Sequence, residues 1–201
     1  MEGRGPRAGQ SEATRAALMG AARELFSERG YAGVGTEEIV QRAKVTRGAL
    51  YHHFRDKRDL FRAVHESLEA ELAAGIGAQI AAAGASDPLG LLATGVRSFL
   101  DACTDRSLAR IILVDAPSVL GWAEWREIDE RHGLGLVTTG LEGAMQAGAI
   151  TRQPVKPLAH LMLGAMGEAG MLIANAEDPK ATRDEVEPAL LSLLDALRTA
   201  G

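Results

Sequence analysis

Cysteine is nearly absent from this chain. Cys103 is the single one in 201 residues, which excludes a disulfide within the chain and fits a reducing cytosol. Aromatic residues make up only 4 %, so a core has to be assembled from Ala, Leu, Val, Ile and Met. Alternating β-branched runs are lacking as well, and Ala-rich stretches stand in their place, so the pattern predicts an all-α fold. No signal-peptide pattern opens the chain and no apolar run reads as long enough to cross a bilayer, which predicts a cytoplasmic protein with no membrane partner. Catalytic arrangements are missing too. There is no Ser-His-Asp or Cys-His order tied to a nucleophile turn, no phosphate-binding Gly loop and no pair of catalytic carboxylates. His65 and Glu69 stand four apart but have no third ligand at convincing spacing, so they read as a solvated helix face. No catalytic residue, metal or cofactor is expected.

What is present is a strong asymmetry of charge. The net charge of −5 would by itself argue against a nucleic-acid partner, yet residues 1–65 carry +4 and residues 66–201 carry −9. A basic head on an acidic body confines any binding of a polyanion to one end. Within that head, Thr36 to Lys57 (TEEIVQRAKVTRGALYHHFRDK) reads as a helix-turn-helix. Ile39, Val40 and Ala43 make one short apolar face, and Ala49, Leu50 and Phe54 make the next. Lys44 and Val45 between them suffice only for a tight turn, with Val45 as an inward plug.

The second of these helices keeps a free outer face bearing Arg47, Gly48, Tyr51, His52 and His53, rich in donors and rings and empty of carboxylates. Thr46 is a good N-cap, its hydroxyl taking one first-turn amide. Entered N-terminus first into a major groove, this helix would let Arg47 reach a guanine edge. Gly48 and Ala49 would permit close approach, and Tyr51 and His52 would reach phosphates or a thymine methyl. Lys57 would meet the backbone from the start of the following helix.

With GY at Gly30-Tyr31 and TRGALYHHFRDKRDLF at Thr46 to Phe61, the run from Ala22 to Leu60 resembles the DNA-binding domain of the TetR family of transcriptional regulators. The resemblance covers roughly the first 65 residues. It implies an all-α dimer whose second domain senses a ligand. It also implies DNA contacts at Thr36, Thr46, Arg47, Gly48, Tyr51, His52 and Lys57, and less regularly at Ala49 and His53. Two positions depart from the family pattern. Lys44 stands where Gly is usual, so a left-handed conformation there would cost about 1 kcal/mol more than with Gly. Gly35 stands where a Ser or Thr cap is common.

Three units follow from this reading: a disordered arm over 1–10, the helix-turn-helix domain over 11–56 with a first helix capped by Ser11 and stopped by Gly30, and a helical ligand-binding and dimerisation domain over 57–201. The last opens with a long lever helix carrying Leu60, Phe61, Val64, Leu68 and Leu72. Further helices are expected from Pro88 to Thr104, over Leu108 to Val114 with Pro117 either interrupting it or beginning the next turn, and from Trp122 to Ala147 with breaks at Gly133 and Gly135. Another is expected from Leu158 to Ala176, and a last one capped by Thr182 in a capping box with Glu185. A sensing pocket would draw on Phe99, Cys103, Val114, Trp122, Trp125, Met145, Met162 and Met166, with Asp115, His160 and Glu168 as polar candidates, and would suit a small, largely apolar effector. The last two helices carry more apolar surface than one side needs. Leu161, Ala165, Ile173, Val186, Leu190, Leu193, Leu194 and Leu197 are therefore expected in a homodimer interface that sets two heads on a palindromic operator of double-stranded DNA. The expected function is thus a ligand-responsive regulator, most simply a repressor. The alternative is an all-helical binding protein or enzyme in which the helix-turn-helix only packs.

Overall fold

The computed structural model describes residues 6–84 and 87–199. The described residues form helices throughout, with one isolated antiparallel bridge, Ile150 to Arg198, as the only β contact among them. Helix α1 (Pro6–Arg29) starts earlier than its expected cap at Ser11. Pro6 opens it, at a position where a missing amide costs nothing. Residues 6–10, expected in an arm, are thus its first turns, while residues 1–5 of that arm lie outside the described residues. Gly30 ends α1 at φ 74°, its amide reaching back to Phe26 O at 2.8 Å.

Helices α2 (Thr36–Arg42) and α3 (Arg47–His53) make the helix-turn-helix. Gly35 gives α2 no side-chain cap, and Glu37 and Glu38 supply negative charge to its first turn instead. Lys44 does adopt the left-handed conformation, at φ 55°, and is the one non-glycine residue with positive φ among the described residues. That geometry aims Val45 N at Val40 O, 3.0 Å away, and leaves the Val45 side chain packed on the core. Thr46 caps α3 by accepting from Ala49 N at 3.2 Å.

Asp56 caps α4 (Lys57–Ala83), accepting from Asp59 N at 2.7 Å, and Gly84 closes it in the left-handed region. At about 1.5 Å per residue, α4 is about 40 Å long. Its first half is the keel of both ends of the molecule: Leu60, Phe61 and Val64 pack with Leu18, Phe26, Ile39 and Leu50 of the head, and Leu68 continues the same core into the body. Phe26, Tyr31 and Phe61 form a ring cluster with centroids 5.2–5.7 Å apart.

Asp87 and Pro88 start α5 (Pro88–Cys103), with Asp87 accepting from Leu89 N and Gly90 N. The apolar run Leu108 to Val114 is helical, as expected, and of the two readings of Pro117 the structure takes the second, in which it begins the next turn. Helix α6 (Arg106–Ala109) passes through a π turn (Arg110–Asp115) into α7 (Ala116–Leu120). The wider turn lets Pro117 fall in the first turn of α7, where no amide is required. Similarly, the expected break at Gly133 and Gly135 is a second π turn (Glu130–Leu134) joining α8 (Trp122–Asp129) to α9 (Gly135–Gln146). A Cβ on Gly133 would lie 3.2 Å from Leu163 Cδ1, so the missing side chain brings this turn close to the neighbouring helix.

Two helices complete the body, α10 (Val155–Asn175) and α11 (Pro179–Asp195). By length and composition α10 could cross a membrane, which corrects the reading that no segment qualifies. It is packed as a core helix against α5, α9 and α11, with Leu163, Met166 and Ile173 buried. Thr182 is not the cap of α11. Asp178 caps it, accepting from Lys180 N and Ala181 N, with Pro179 in the first turn. A second cluster of buried residues (Leu89, Leu141, Ala144, Ile150, Leu158, Met162, Leu194) ties α5, α9, α10 and α11 together.

This packing divides the stripe expected to dimerise. Ile173, Leu190 and Leu194 are buried inside the protomer, and Ala165, Val186 and Leu197 are half-buried against it. Leu161 and Leu193 remain outside, 72 % and 56 % exposed, joined by Leu172 at 53 %. The helix pair thus spends one face on its own core and presents a narrower apolar face to solvent.

Candidate nucleic-acid face and effector cavity

The outer face of α3 gathers most of the residues singled out for DNA. Thr46, Arg47, Gly48, Tyr51 and His52 are exposed together, while Thr36, Ala49 and His53 are half-buried at its margin. The Arg47 guanidinium lies 5.6 Å from the centre of the Tyr51 ring and 2.8 Å from Glu37 Oε1. Glu37 belongs to α2, so the carboxylate-free appearance of the face held only along one helix. It orients Arg47 in the absence of DNA. His53 packs near Phe54, and its pKa is lowered by burial first and then by His52 and Arg15.

Lys57 also holds the backbone of its own head. Its ammonium donates to Tyr31 O and Val34 O, both at 2.9 Å, and sits 4.0 Å from the centre of the Tyr31 ring. Burial lowers its pKa. Two of its three donor positions thus serve the loop between α1 and α2, and at most one is left to face outward.

In the body, α4, α5, α8, α9 and α10 surround a narrow, largely apolar cavity of about 80 Å³. Of the expected pocket residues, Phe99, Trp125, Met162 and Met166 line it. The other four do not. Cys103 is buried against α10, where a Cβ on Gly170 would lie 3.0 Å from its sulfur. Val114 and Trp122 are exposed, Trp122 at 67 % and tilted against the outer side of Trp125 at 4.9 Å between ring centroids. Met145 packs on the second core cluster. Trp125 is fixed by its indole N–H, which donates to Ile112 O at 3.0 Å. Leu72, Ile76, Ile80, Leu92, Leu136 and Val137 complete an apolar wall to which sequence reasoning had not assigned them.

The polar candidates are likewise replaced. Asp115 accepts from Tyr31 N at 2.7 Å, Glu168 is exposed, and His160 Nδ1 lies 3.3 Å from Glu130. The carboxyl groups that do line the cavity are Glu69 and Asp129. Glu69 and His65 are not on a solvated face: His65 is 0 % and Glu69 8 % exposed, with His65 Nε2 4.0 Å from Glu69 Oε1. Neither ring nitrogen of His65 has a hydrogen-bond partner. Burial pushes the His65 pKa down to about 4, helped by His132, and pushes that of Glu69 up to about 8, helped by Asp129. Asp129 is raised to about 6 by burial, against the pull of Arg126 at 2.9 Å.

The cavity wall is tied to the head. Arg58 donates to Val119 O at 3.1 Å and Leu120 O at 2.8 Å and pairs with Glu124, which also accepts from Arg62 at 2.7 Å. Glu124 immediately precedes Trp125 on α8. The same short helix thus carries two cavity residues on one side and the clamp on the base of α4 on another.

These two ends define a helix-turn-helix DNA-binding protein with a hollow helical body. The chain belongs to the TetR family of transcriptional regulators: the profile "Bacterial regulatory proteins, tetR family" matches residues 18–64, and "Tetracyclin repressor-like, C-terminal domain" matches residues 90–197. A TetR-family transcriptional regulator from Pectobacterium atrosepticum of known structure is 34 % identical and aligns over 98 % of this chain and 99 % of its own, with a TM-score of 0.85. The transposon Tn10 TetC protein from Escherichia coli is 27 % identical over 153 residues, 76 % of each chain. The structure of RolR in complex with resorcinol shares the fold, with a TM-score of 0.72 at 22 % identity over 92 % of this chain and 89 % of its own.

The placement of Lys57 has a measurable consequence. Lys57→Met keeps the aliphatic stem but removes both bonds to the α1–α2 loop, and is expected to lower the free energy of unfolding in urea by about 1–2 kcal/mol. Unchanged stability would mean that the ammonium is not holding the loop.

Proposed function

We propose that this regulator is a repressor that binds a palindromic operator as a homodimer and is released by a small, largely apolar effector taken into the cavity. The observation that carries the proposal is the continuous path from Trp125 and Asp129 at the cavity wall, through Glu124, to Arg58 and Arg62 at the base of α4. Two recognition helices must meet successive major grooves about 34 Å apart, so a small rotation of α4 suffices to spoil the fit. An effector that prefers the rotated state shifts the population by its differential affinity, typically worth about 1–3 kcal/mol. RolR, whose structure holds resorcinol, supports the view that this fold can hold a small ring compound.

On α3, Arg47 reads base edges, and Thr46, Gly48, Tyr51 and His52 fix the helix in the groove, with Thr36, Ala49 and His53 at its edge. The exposed apolar face of α10 and α11, centred on Leu161, Leu172 and Leu193, pairs with its copy across a two-fold axis.

Selection of bound fragments from random duplex DNA is expected to recover a two-fold symmetric sequence, and enrichment of no sequence at low salt would sink the regulator reading. Arg47→Ala should cost about 1–3 kcal/mol of discrimination between the selected site and random DNA, whereas equal weakening on both would deny it a base contact. Because Leu161 and Leu193 lie outside the protomer core, Leu161→Glu with Leu193→Glu should leave folded monomers in sedimentation. A persisting dimer would move the interface elsewhere.

A further inference from the structure

An apolar cavity that contains two carboxyl groups is costly to leave without a partner. Glu69 is 8 % exposed and lines the cavity, and the one basic group beside it is His65, at 4.0 Å and so beyond hydrogen-bond reach. Asp129 lines the same cavity, and its single cationic neighbour, Arg126, also pairs with Glu130 at 3.3 Å. Among the described residues no lysine, arginine or histidine lines the cavity. An anionic occupant would therefore meet the Asp129 carboxylate with no basic side chain on the wall to balance it. A neutral polar occupant could take a hydrogen bond from one carboxyl group but would leave the other unused. A cation with an apolar body meets both, and Phe99 and Trp125 add ring surfaces of the kind that attract alkylammonium groups.

We propose that the effector cavity is selective for a hydrophobic organic monocation, an aryl- or alkylammonium, held between Glu69 and Asp129. This rests on the reading of the cavity as an effector site and names the chemical class it takes.

Binding is linked to a proton. In the empty cavity Glu69 retains its proton up to about pH 8, because burial and Asp129 both disfavour its charged form. The groups around it are His65 on its own helix, Asp129 on α8 and the Cys103 thiol on α5, with His132 acting on His65. When the ammonium enters, the Glu69 O–H bond breaks, the electron pair stays on the carboxylate beside the cation, and the proton passes to the solvent. Transfer to His65 instead would put a second cation beside the first. Affinity for a fixed cation therefore rises with pH until Glu69 is ionised in the empty protein as well.

Phenyltrimethylammonium and its uncharged carbon isostere tert-butylbenzene separate charge from shape. By calorimetry on the full chain, the ammonium is expected to bind at least tenfold more tightly than the hydrocarbon at pH 8.5. A Glu69 pKa of about 8 makes its affinity about eightfold lower at pH 7.0, with close to one proton released per site. Glu69→Gln, which imitates the neutral acid already present in the empty cavity and so retains the fold, should abolish the pH dependence and most of the preference for charge. Equal binding of the two probes overturns the proposal, as does binding of neither, or a charge preference that survives Glu69→Gln unchanged. Operator selection reads the regulator separately. A symmetric DNA site without cation preference removes only the ligand class, and cation preference without any DNA site removes only the regulator.

Discussion

One helix with a single apolar face has to be buried along most of its length, and that requirement organises this protein. The head is too small to enclose Leu60, Phe61 and Val64 of α4 on its own, and the body needs Leu68 and Leu72 of the same helix to close its own interior. Both are satisfied only if head and body share α4, so neither can shift without disturbing the packing of the other. The buried cluster runs from Leu18 to Leu190 without a seam at the base of α4. A protein interior near crystal-like density does not yield smoothly to such a disturbance, which favours a choice between discrete arrangements over gradual bending.

Polar contacts around this shared helix are placed where apolar packing gives out. Arg58 and Arg62 meet Glu124 at a partly exposed junction, Asp115 takes the backbone amide of Tyr31, and Arg110 reaches Glu28 O at 3.4 Å. Exposed ion pairs of this kind contribute little to stability. Their value lies in direction, since they fix which turn of α7 and α8 faces which turn of α4. Lys57 does the same for the α1–α2 loop, and the left-handed Lys44 sets the angle between α2 and α3 at some cost in backbone energy.

How legible each feature was in the sequence depended on how local its cause is. Thr46 acts on an amide three residues away, and its cap could be read directly. Lys44 could be identified because the resemblance places it where Gly is usual. The pair Asp178-Pro179 carries the same starting signal as Asp87-Pro88, but Thr182 and Glu185 offer a competing cap one turn later. Facing was harder. Trp122 and Trp125 differ by less than one turn, and only the packing of α8 on Ile112 decides that Trp125 turns inward and Trp122 outward. Glu69 and His65 looked solvated because their burial comes from α5, α8 and the turn after α8, far along the chain. The same applies to Ile173, Leu190 and Leu194, whose stripe shows how much apolar surface exists but not whether the protomer or its copy covers it.

The burial of Cys103 bears on how the molecule can be studied. Its thiol is pushed up to about 12, by burial first and then by Glu69, and is wedged against Gly170. Thiolate is the reactive form, so at neutral pH this sulfur is both hidden and almost entirely protonated. The native chain is therefore expected to react slowly, if at all, with maleimide and nitroxide reagents. A single cysteine introduced on the solvent side of α3 would be the only labelled position in each copy, without any need to remove the native one. The separation of two reading heads could then be followed spectroscopically in an otherwise unaltered protein.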